Sequence, residues 1–351
     1  MMVKMQLLSF RKICALLASV LLLPLLSGCG ASSPHVRTGF AFDTVVSITY
    51  YDGKDSSAVT KVMDRLEYYE KIFSRTDPES ELYQVNARLA EAAKEGASPA
   101  VVPIRSLELY EALKLSLEYA EKTDGAFDPT LGKLLEIYDF GGTEHRVPAD
   151  AEREEILSHC GWEKLETAEV SRTGDVSAYP YQLTAADSQI VIDLGGMAKG
   201  FIADRLKEEL KAEGVTSAII NLGGNILVIG NKPDGRPYGI GVLKPEPGSS
   251  ENLASFKITD ASAVTSGSYQ RFFKQDGVTY HHILDPATGL PAESSLRSVT
   301  VVAENSAVAD ILSTSFFVMG EDEAVHFLEN CTGIDAYFVD EQNVVRKYLS
   351  K

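Results

Sequence analysis

Cysteine is scarce in this 351-residue chain, and the scarcity removes two classes of protein at once. Of the four, Cys14 and Cys29 lie in or directly after an N-terminal leader, so only Cys160 and Cys331 remain for the rest of the chain. Two thiols make no disulfide framework, and their spacing fits no metal motif. Each is expected as an isolated buried thiol, with a single disulfide as the alternative. Positive charge is also short: 33 Lys and Arg face 50 Asp and Glu, for a formal net charge of -17. The first 28 residues carry Lys4, Arg11 and Lys12 and no acids, which leaves the remainder at -20. Such a surface repels nucleic acid and anionic headgroups, so a phosphate ligand needs a local basic group or a metal. Short phosphate motifs of the P-loop or dinucleotide-fingerprint kind are missing as well.

What is present suffices for a full core, since 44% of residues are hydrophobic. That is enough for one large domain or two tightly joined ones. The apolar run from Ile13 to Leu26 follows a basic flank and is too short to span a bilayer comfortably. It ends Leu26-Ser27-Gly28-Cys29, which resembles the bacterial lipobox, in which the cysteine is lipidated and becomes the new N-terminus. Residues 1–28 are therefore expected to be a lipoprotein signal peptide, Cys29 the lipidation site and 29–38 a tether. Residues 39–351 then form a single domain on the outer face of a membrane.

The centre of the chain is Val191-Ile-Asp-Leu-Gly-Gly-Met-Ala-Lys-Gly-Phe-Ile-Ala-Asp204. It reads as a strand ending at Asp193, a turn bare of side chains at Gly195-Gly196, and a helix with Lys199 in its first turn. Exposed turn amides, the helix dipole and a lysine favour an anion, most simply a phosphate. Asp193 would repel that anion unless it serves a metal, a ligand hydroxyl or a ring nitrogen. A nucleotide with a divalent cation reconciles the two.

Around this centre, Phe40 to Tyr50 reads as one β-strand running to a turn at Asp52-Gly53. Val59, Val62, Met63, Leu66, Tyr69 and Phe73 then recur at helical spacing. A polar loop follows with a cap-like Ser80, and a second helix runs from about Ser106 to Lys122 and stops at Asp124-Gly125. Residues 139–188 read as charged surface elaboration. After Gly214, strands at 217–220 and 226–229 flank Asn221-Leu222-Gly223-Gly224-Asn225, while 233–254 reads as loops with one short strand.

The last third carries more chemistry. Ala263 to Tyr269 is a strand entering a polar turn, and Tyr280-His281-His282-Ile283-Leu284-Asp285-Pro286 leads to a second turn. Adjacent strand residues face opposite sides, so the two histidines are not one metal site. His281 reads as an exposed strand residue. Asn305 caps a helix from Ser306 to Met319, on which Asp310 and Thr314 share one face. A carboxylate and a hydroxyl there suit Mg²⁺, and they equally suit a simple hydrogen bond to each other.

Ala41-Phe-Asp-Thr44, Phe73-Ser74 with Ser80-Glu81 and Asn86, Gly125-Ala-Phe-Asp-Pro-Thr130 and Asp193-Leu-Gly-Gly-Met-Ala-Lys-Gly200 begin a series of motifs. Asn221-Leu-Gly-Gly-Asn225, Thr265-Ser-Gly267, His282-Ile-Leu-Asp-Pro286 with Thr288-Gly289, and Asp310 with Thr314 complete it. In this order, across the whole mature chain, they resemble the ApbE-type FAD:protein FMN transferases. The resemblance implies an α+β fold of mixed and antiparallel sheets packed with helices, ApbE-like and T-fold-related. It implies transfer of FMN from FAD to a threonine or serine hydroxyl of an acceptor protein, with Mg²⁺ as cofactor and AMP as product. It places Asp193, Lys199, Ala126, Phe127, Asp128, His282 and Ile283 at FAD, and the Gly196 carbonyl, Asp310 and Thr314 at the metal. Phe42 and Thr76 stand at two further FAD positions, where the family often has Met-Gly-Thr and an aromatic. Lys199 with the metal would neutralise the diphosphate. His282 is the candidate general base, with Asp285 as alternative. Competing expectations are an FAD pyrophosphatase, a non-catalytic flavin-binding lipoprotein and a solute-binding lipoprotein.

Overall fold

The computed structural model describes residues 34–51, 57–170 and 179–350; the leader, Cys29 and the expected Asp52-Gly53 turn lie outside them. Its frame is an eight-stranded sheet ordered β1 (His35–Ala41), β2 (Thr44–Tyr50), β6 (Ala218–Leu222), β7 (Asn225–Ile229), β10 (Ser262–Gly267), β13 (Leu296–Ala303), β14 (Ile334–Asp340) and β15 (Val345–Leu349). Every pairing in it is antiparallel. The single strand expected over 40–50 is instead a hairpin, because Phe42 and Asp43 both take positive φ and turn the chain in two residues. Residues 35–38, expected as tether, belong to its first strand, where His35 pairs with Tyr50.

Eight helices are present among the described residues: α1 (Ser57–Phe73), α2 (Glu81–Lys94), α3 (Leu107–Lys122), α4 (Gly132–Tyr138), α5 (Asp150–His159), α6 (Ala198–Ala212), α7 (Ser306–Met319) and α8 (Glu321–Leu328). The α1 stripe is buried as its spacing requires, with Val59, Val62, Leu66, Tyr69 and Phe73 in the main core and Met63 packed beside them. That core joins α1, α2, α3 and α6 to β2 and β6, and a second core joins α7 and α8 to β10, β13 and β14. On the opposite face of the sheet lies the hairpin β8 (Tyr238–Leu243) and β9 (Asn252–Ile258), where only one short strand was expected. Tyr238, Ile240 and Val242 are buried and alternate with exposed Gly239 and Gly241, so glycines fill the outward positions that would normally display a polar alternation. The segment 139–188 contributes α5 and two strands, β4 (Leu165–Glu169) and β5 (Tyr181–Ala185), which pair with β3 (Ala100–Ile104). A last hairpin pairs β11 (Phe272–Gln275) with β12 (Val278–His281).

Two helices from distant parts of the sequence meet at one point. A Cβ built on Gly200 of α6 would lie 2.2 Å from the Ser306 carbonyl oxygen and 2.7 Å from Ala307 Cα, so only glycine lets α6 cross the start of α7. One turn further along α6, the Asp204 carboxylate accepts the Ser306 and Ala307 N–H groups, both at 2.9 Å, while Asn305 caps Val308. Burial raises the Asp204 pKa to about 6. The crossing thus combines steric contact with a carboxylate cap supplied by the neighbouring helix. Gly200→Ala should lower unfolding stability by about 1–3 kcal/mol through overpacking, read as a lower denaturant midpoint at unchanged slope.

Candidate active site

The expected strand before the Gly195-Gly196 turn is absent. Val191 makes an isolated parallel bridge with Leu131, and the next residues bind side chains and loops in place of a ladder. Asn86 of α2 accepts the Ile192 N–H at 2.8 Å and donates Nδ2 to the Ile192 carbonyl at 2.9 Å. The Asp193 N–H then donates to the Pro129 carbonyl at 2.8 Å. One amide side chain therefore does the work of a neighbouring strand and carries the chain extended into the turn.

Asp193 shares its carboxylate between the Gly195 N–H, 2.8 Å away, and Arg75 Nε, also at 2.8 Å. Arg75 further reaches Glu136 on α4 at 3.3 Å. Sequence reading missed Arg75, although it stands in the Phe73–Leu82 loop noted for its serine cap. Its guanidinium offsets the Asp193 charge beside the bare turn.

At the start of α6, Lys199 Nζ donates to the Gly195 carbonyl at 3.2 Å and lies 3.9 Å from Asp310 Oδ2. Asp310, on α7, is 4% exposed and accepts the Gly200 N–H at 2.9 Å. Burial raises its pKa, opposed by Lys199, by the Gly200 N–H and by Asn225. One turn on, Thr314 hydrogen-bonds Ser266 of β10 at 3.1 Å rather than Asp310, and Ser266 also meets Ser313 at 2.8 Å. A Cβ on Gly196 would stand 3.9 Å from Thr314 Oγ1 and 3.0 Å from Phe127, so the bare turn lies against both. Gly196 lies against Thr314, one turn along α7 from Asp310, so the three expected metal residues could present only oxygens, with one carboxylate among them. Among the described residues no group of three or more His, Cys, Asp or Glu could hold a metal. A small all-oxygen set of this kind fits Mg²⁺, which retains water and ligand phosphate in its shell.

His282 follows β12 and is half-buried. Its Nδ1 lies 3.2 Å from the Arg271 carbonyl, which can only accept, so Nδ1 carries the proton and Nε2 keeps the lone pair. Burial, together with the charges of Arg271, His281 and Lys199, pushes its pKa down to about 3. His281 is not exposed as expected. Its ring packs edge-on against Phe317 at 5.5 Å between centroids, and its Nδ1 is buried without a partner.

The other candidates are placed differently. Phe127 is buried against Gly196, while Asp128 accepts from Thr130 and from the Trp162 N–H and is raised in pKa by burial. Ala126 and Asp128 border a groove of about 1300 Å³ that also touches Asp285 and the C-terminal ends of α3 and α7. Lys199, Asp193 and Asp310 are not on its walls, so the groove runs alongside the polar cluster. Asp285 caps its own turn through the Ala287 N–H and the Thr288 hydroxyl. Ile283 is 3% exposed in the second core, so it offers backbone rather than side chain to a ligand. Phe42 is half-buried, with its N–H on Glu70, and Thr76 is exposed. Cys160 and Cys331 are free and only half-buried.

Fold and cluster together define an α+β protein with a glycine-lined turn, a lysine and a buried carboxylate gathered at the crossing of two helices. The sequence profile of the ApbE family matches residues 42–338, and the chain belongs to that family. The FAD:protein FMN transferase of Treponema pallidum is 32% identical over 324 residues, covering 89% of this chain and 86% of that protein. The enzyme of the same name from Vibrio cholerae is 30% identical over 321 residues, 89% of each. Among solved structures, the ApbE protein of Thermotoga maritima matches with a TM-score of 0.77 at 31% identity, over 90% of this chain and 97% of that one. The apo flavinyl transferase ApbE of Pseudomonas stutzeri matches with a TM-score of 0.74 at 27% identity, over 93% and 97%.

The histidine geometry makes a direct prediction. In the ligand-free protein His282 should remain a neutral Nδ1–H imidazole from pH 8 down to about 4.5, as followed by nitrogen-15 NMR. A midpoint near the ordinary value would contradict the placement.

Proposed function

We propose that this protein transfers FMN from FAD to a threonine or serine hydroxyl of an acceptor protein, releasing AMP, with Mg²⁺ as cofactor. The observation that carries the reading is Lys199, whose ammonium joins the bare turn at Gly195 to the buried carboxylate of Asp310. An ammonium held between a carbonyl and a carboxylate at a helix N-terminus suits a diphosphate. The names of the relatives supply the flavin dinucleotide.

In this reading the Gly196 carbonyl, Asp310 and Thr314 hold Mg²⁺, which when bound draws charge off the diphosphate. Lys199 neutralises a non-bridging phosphate oxygen, and Phe127 closes the turn against water. Arg75 keeps Asp193 directed at the turn. The groove beside Ala126 and Asp128 has room for one ring system of the dinucleotide. His282 Nε2 takes the proton from the acceptor hydroxyl. The new bond joins that oxygen to the FMN phosphorus, the diphosphate bond breaks, and the proton leaves with AMP. The low pKa of His282 describes the empty site; two phosphate charges nearby favour its protonated form.

The test incubates the protein with FAD, Mg²⁺ and a threonine-bearing acceptor domain. Intact mass should show the acceptor heavier by one FMN less water, with AMP released. Free FMN and AMP with unmodified acceptor would mean hydrolysis, and unchanged FAD would mean binding alone. Lys199→Ala should slow transfer on the order of a hundredfold. His282→Ala should lose transfer more than FAD binding; full transfer in that variant removes His282 from the mechanism.

The basic flank, the apolar run and Cys29 support export and lipid anchoring at the outer face of a bacterial membrane. Cys29→Ser should move the protein from the membrane fraction to the soluble fraction without changing its activity.

A further inference from the structure

The hairpin of β1 and β2 has one covered face and one bare face, separated by register alone. Val46, Ile48 and Tyr50 point into the main core. On the other side Val36, Thr38 and Phe40 of β1 pair with Thr49, Ser47 and Val45 of β2. Phe40 is 73% exposed, its direct partner Val45 61% and Val36 54%. None of these six residues is charged, although an edge strand that faces water ordinarily carries charge, lysine above all. Arg37, the charged residue of β1, pairs with Ile48 and so belongs to the opposite face. Thr49 pairs with Ile219 and Ile219 with Val228, which makes the bare face continuous with the one that the β8 and β9 hairpin covers over Val228, Ala263 and Tyr337. Val36, Phe40 and Val45 stay outside that cover.

The chain just before β1 decides between possible occupants. A lipid on Cys29 stands six residues before His35, where β1 begins, and six residues reach at most about 20 Å. Gly30 to Pro34 add no charge. Anionic headgroups repel most of so acidic a surface, so the face that can rest on them is an uncharged one close to the anchor. We propose that the outward face of the β1 and β2 hairpin docks on the lipid bilayer, with Phe40 and Val45 entering the headgroup layer. The inference rests on the reading of Cys29 as the lipidation site. Because the tether makes this second contact intramolecular, a patch too small to hold a membrane by itself suffices to fix the tilt of an anchored protein.

The test reconstitutes the lipidated protein in phosphatidylcholine vesicles whose acyl chains are dibrominated and quench an indole on contact. Trp162 is the sole tryptophan of the chain, so the parent protein supplies the baseline. Phe40→Trp, which keeps an aromatic at an exposed site, should add an emission that moves to shorter wavelength on the vesicles and loses most of its intensity to bromine. Leu349→Trp, exposed at the opposite edge of the sheet, should show no quenching beyond that of the parent. Val45→Trp carries the test should Phe40→Trp fail to fold. An unquenched added indole in protein that still sediments with the vesicles overturns the docking face and leaves the anchor standing, and so does equal quenching in Leu349→Trp. Protein that does not sediment, with Cys29 unmodified by mass, overturns the anchor reading and the proposal with it. A blue shift already present without vesicles means that a second copy covers the face, and one that appears only with the acceptor domain means that the acceptor does; each refutes the lipid assignment.

Discussion

Everything in the candidate site depends on the hydrogen bond from the Gly200 N–H to Asp310. A carboxylate at 4% exposure needs compensation for lost hydration, and a helix N-terminus is one of the few backbone structures that gives it. Because the donor is the backbone of α6, the carboxylate cannot be satisfied unless α6 and α7 touch. They can touch only because Gly200 lacks a side chain. Stability and chemistry therefore make the same demand on one residue. Asp204 repeats the arrangement one turn later with the roles exchanged, since there α6 supplies the carboxylate and α7 the amides.

Charge at the site is arranged as neighbouring pairs within a strongly acidic protein. Asp193 is balanced by Arg75 and Asp310 by Lys199, so the carboxylates are held close to the turn without making it repel anions. Against a formal net charge of -17 overall, this local balance keeps the turn from adding to the negative field. His282 belongs to the same arrangement: burial, aided by surrounding cations, keeps it neutral, and its carbonyl partner orients the lone pair.

Much of this was legible in the residues themselves. Helical spacing identified α1 and α3, and Asn305 with Gly320 bounded α7, whereas the helix α2 behind the cap-like Ser80 was not read from the sequence. Asp193, Lys199, Gly196, Asp310 and Thr314 do gather in one place. What stayed hidden depended on contacts far apart in sequence. Nothing near Val191 says that Asn86, on another helix, replaces its strand partner. A phenylalanine followed by aspartate is not a customary two-residue hairpin turn, so β1 and β2 merged into one strand on paper. Glycines masked the alternation of β8. Arg75 became visible only once its partner Asp193 was known. The motif series identified the family, while side-chain roles such as those of Asp128 and Asp285 needed the hydrogen bonds.

The bond between Gly200 and Asp310 closes a loop of 110 residues. Eight strands of the described chain lie between those two positions, and four of them, β6, β7, β10 and β13, are the middle of the central sheet. Loop-closure entropy makes such a contact unfavourable until the intervening sheet is in place. Until those strands are paired, nothing holds the Asp310 carboxylate beside Lys199, so the site assembles together with the middle of the sheet.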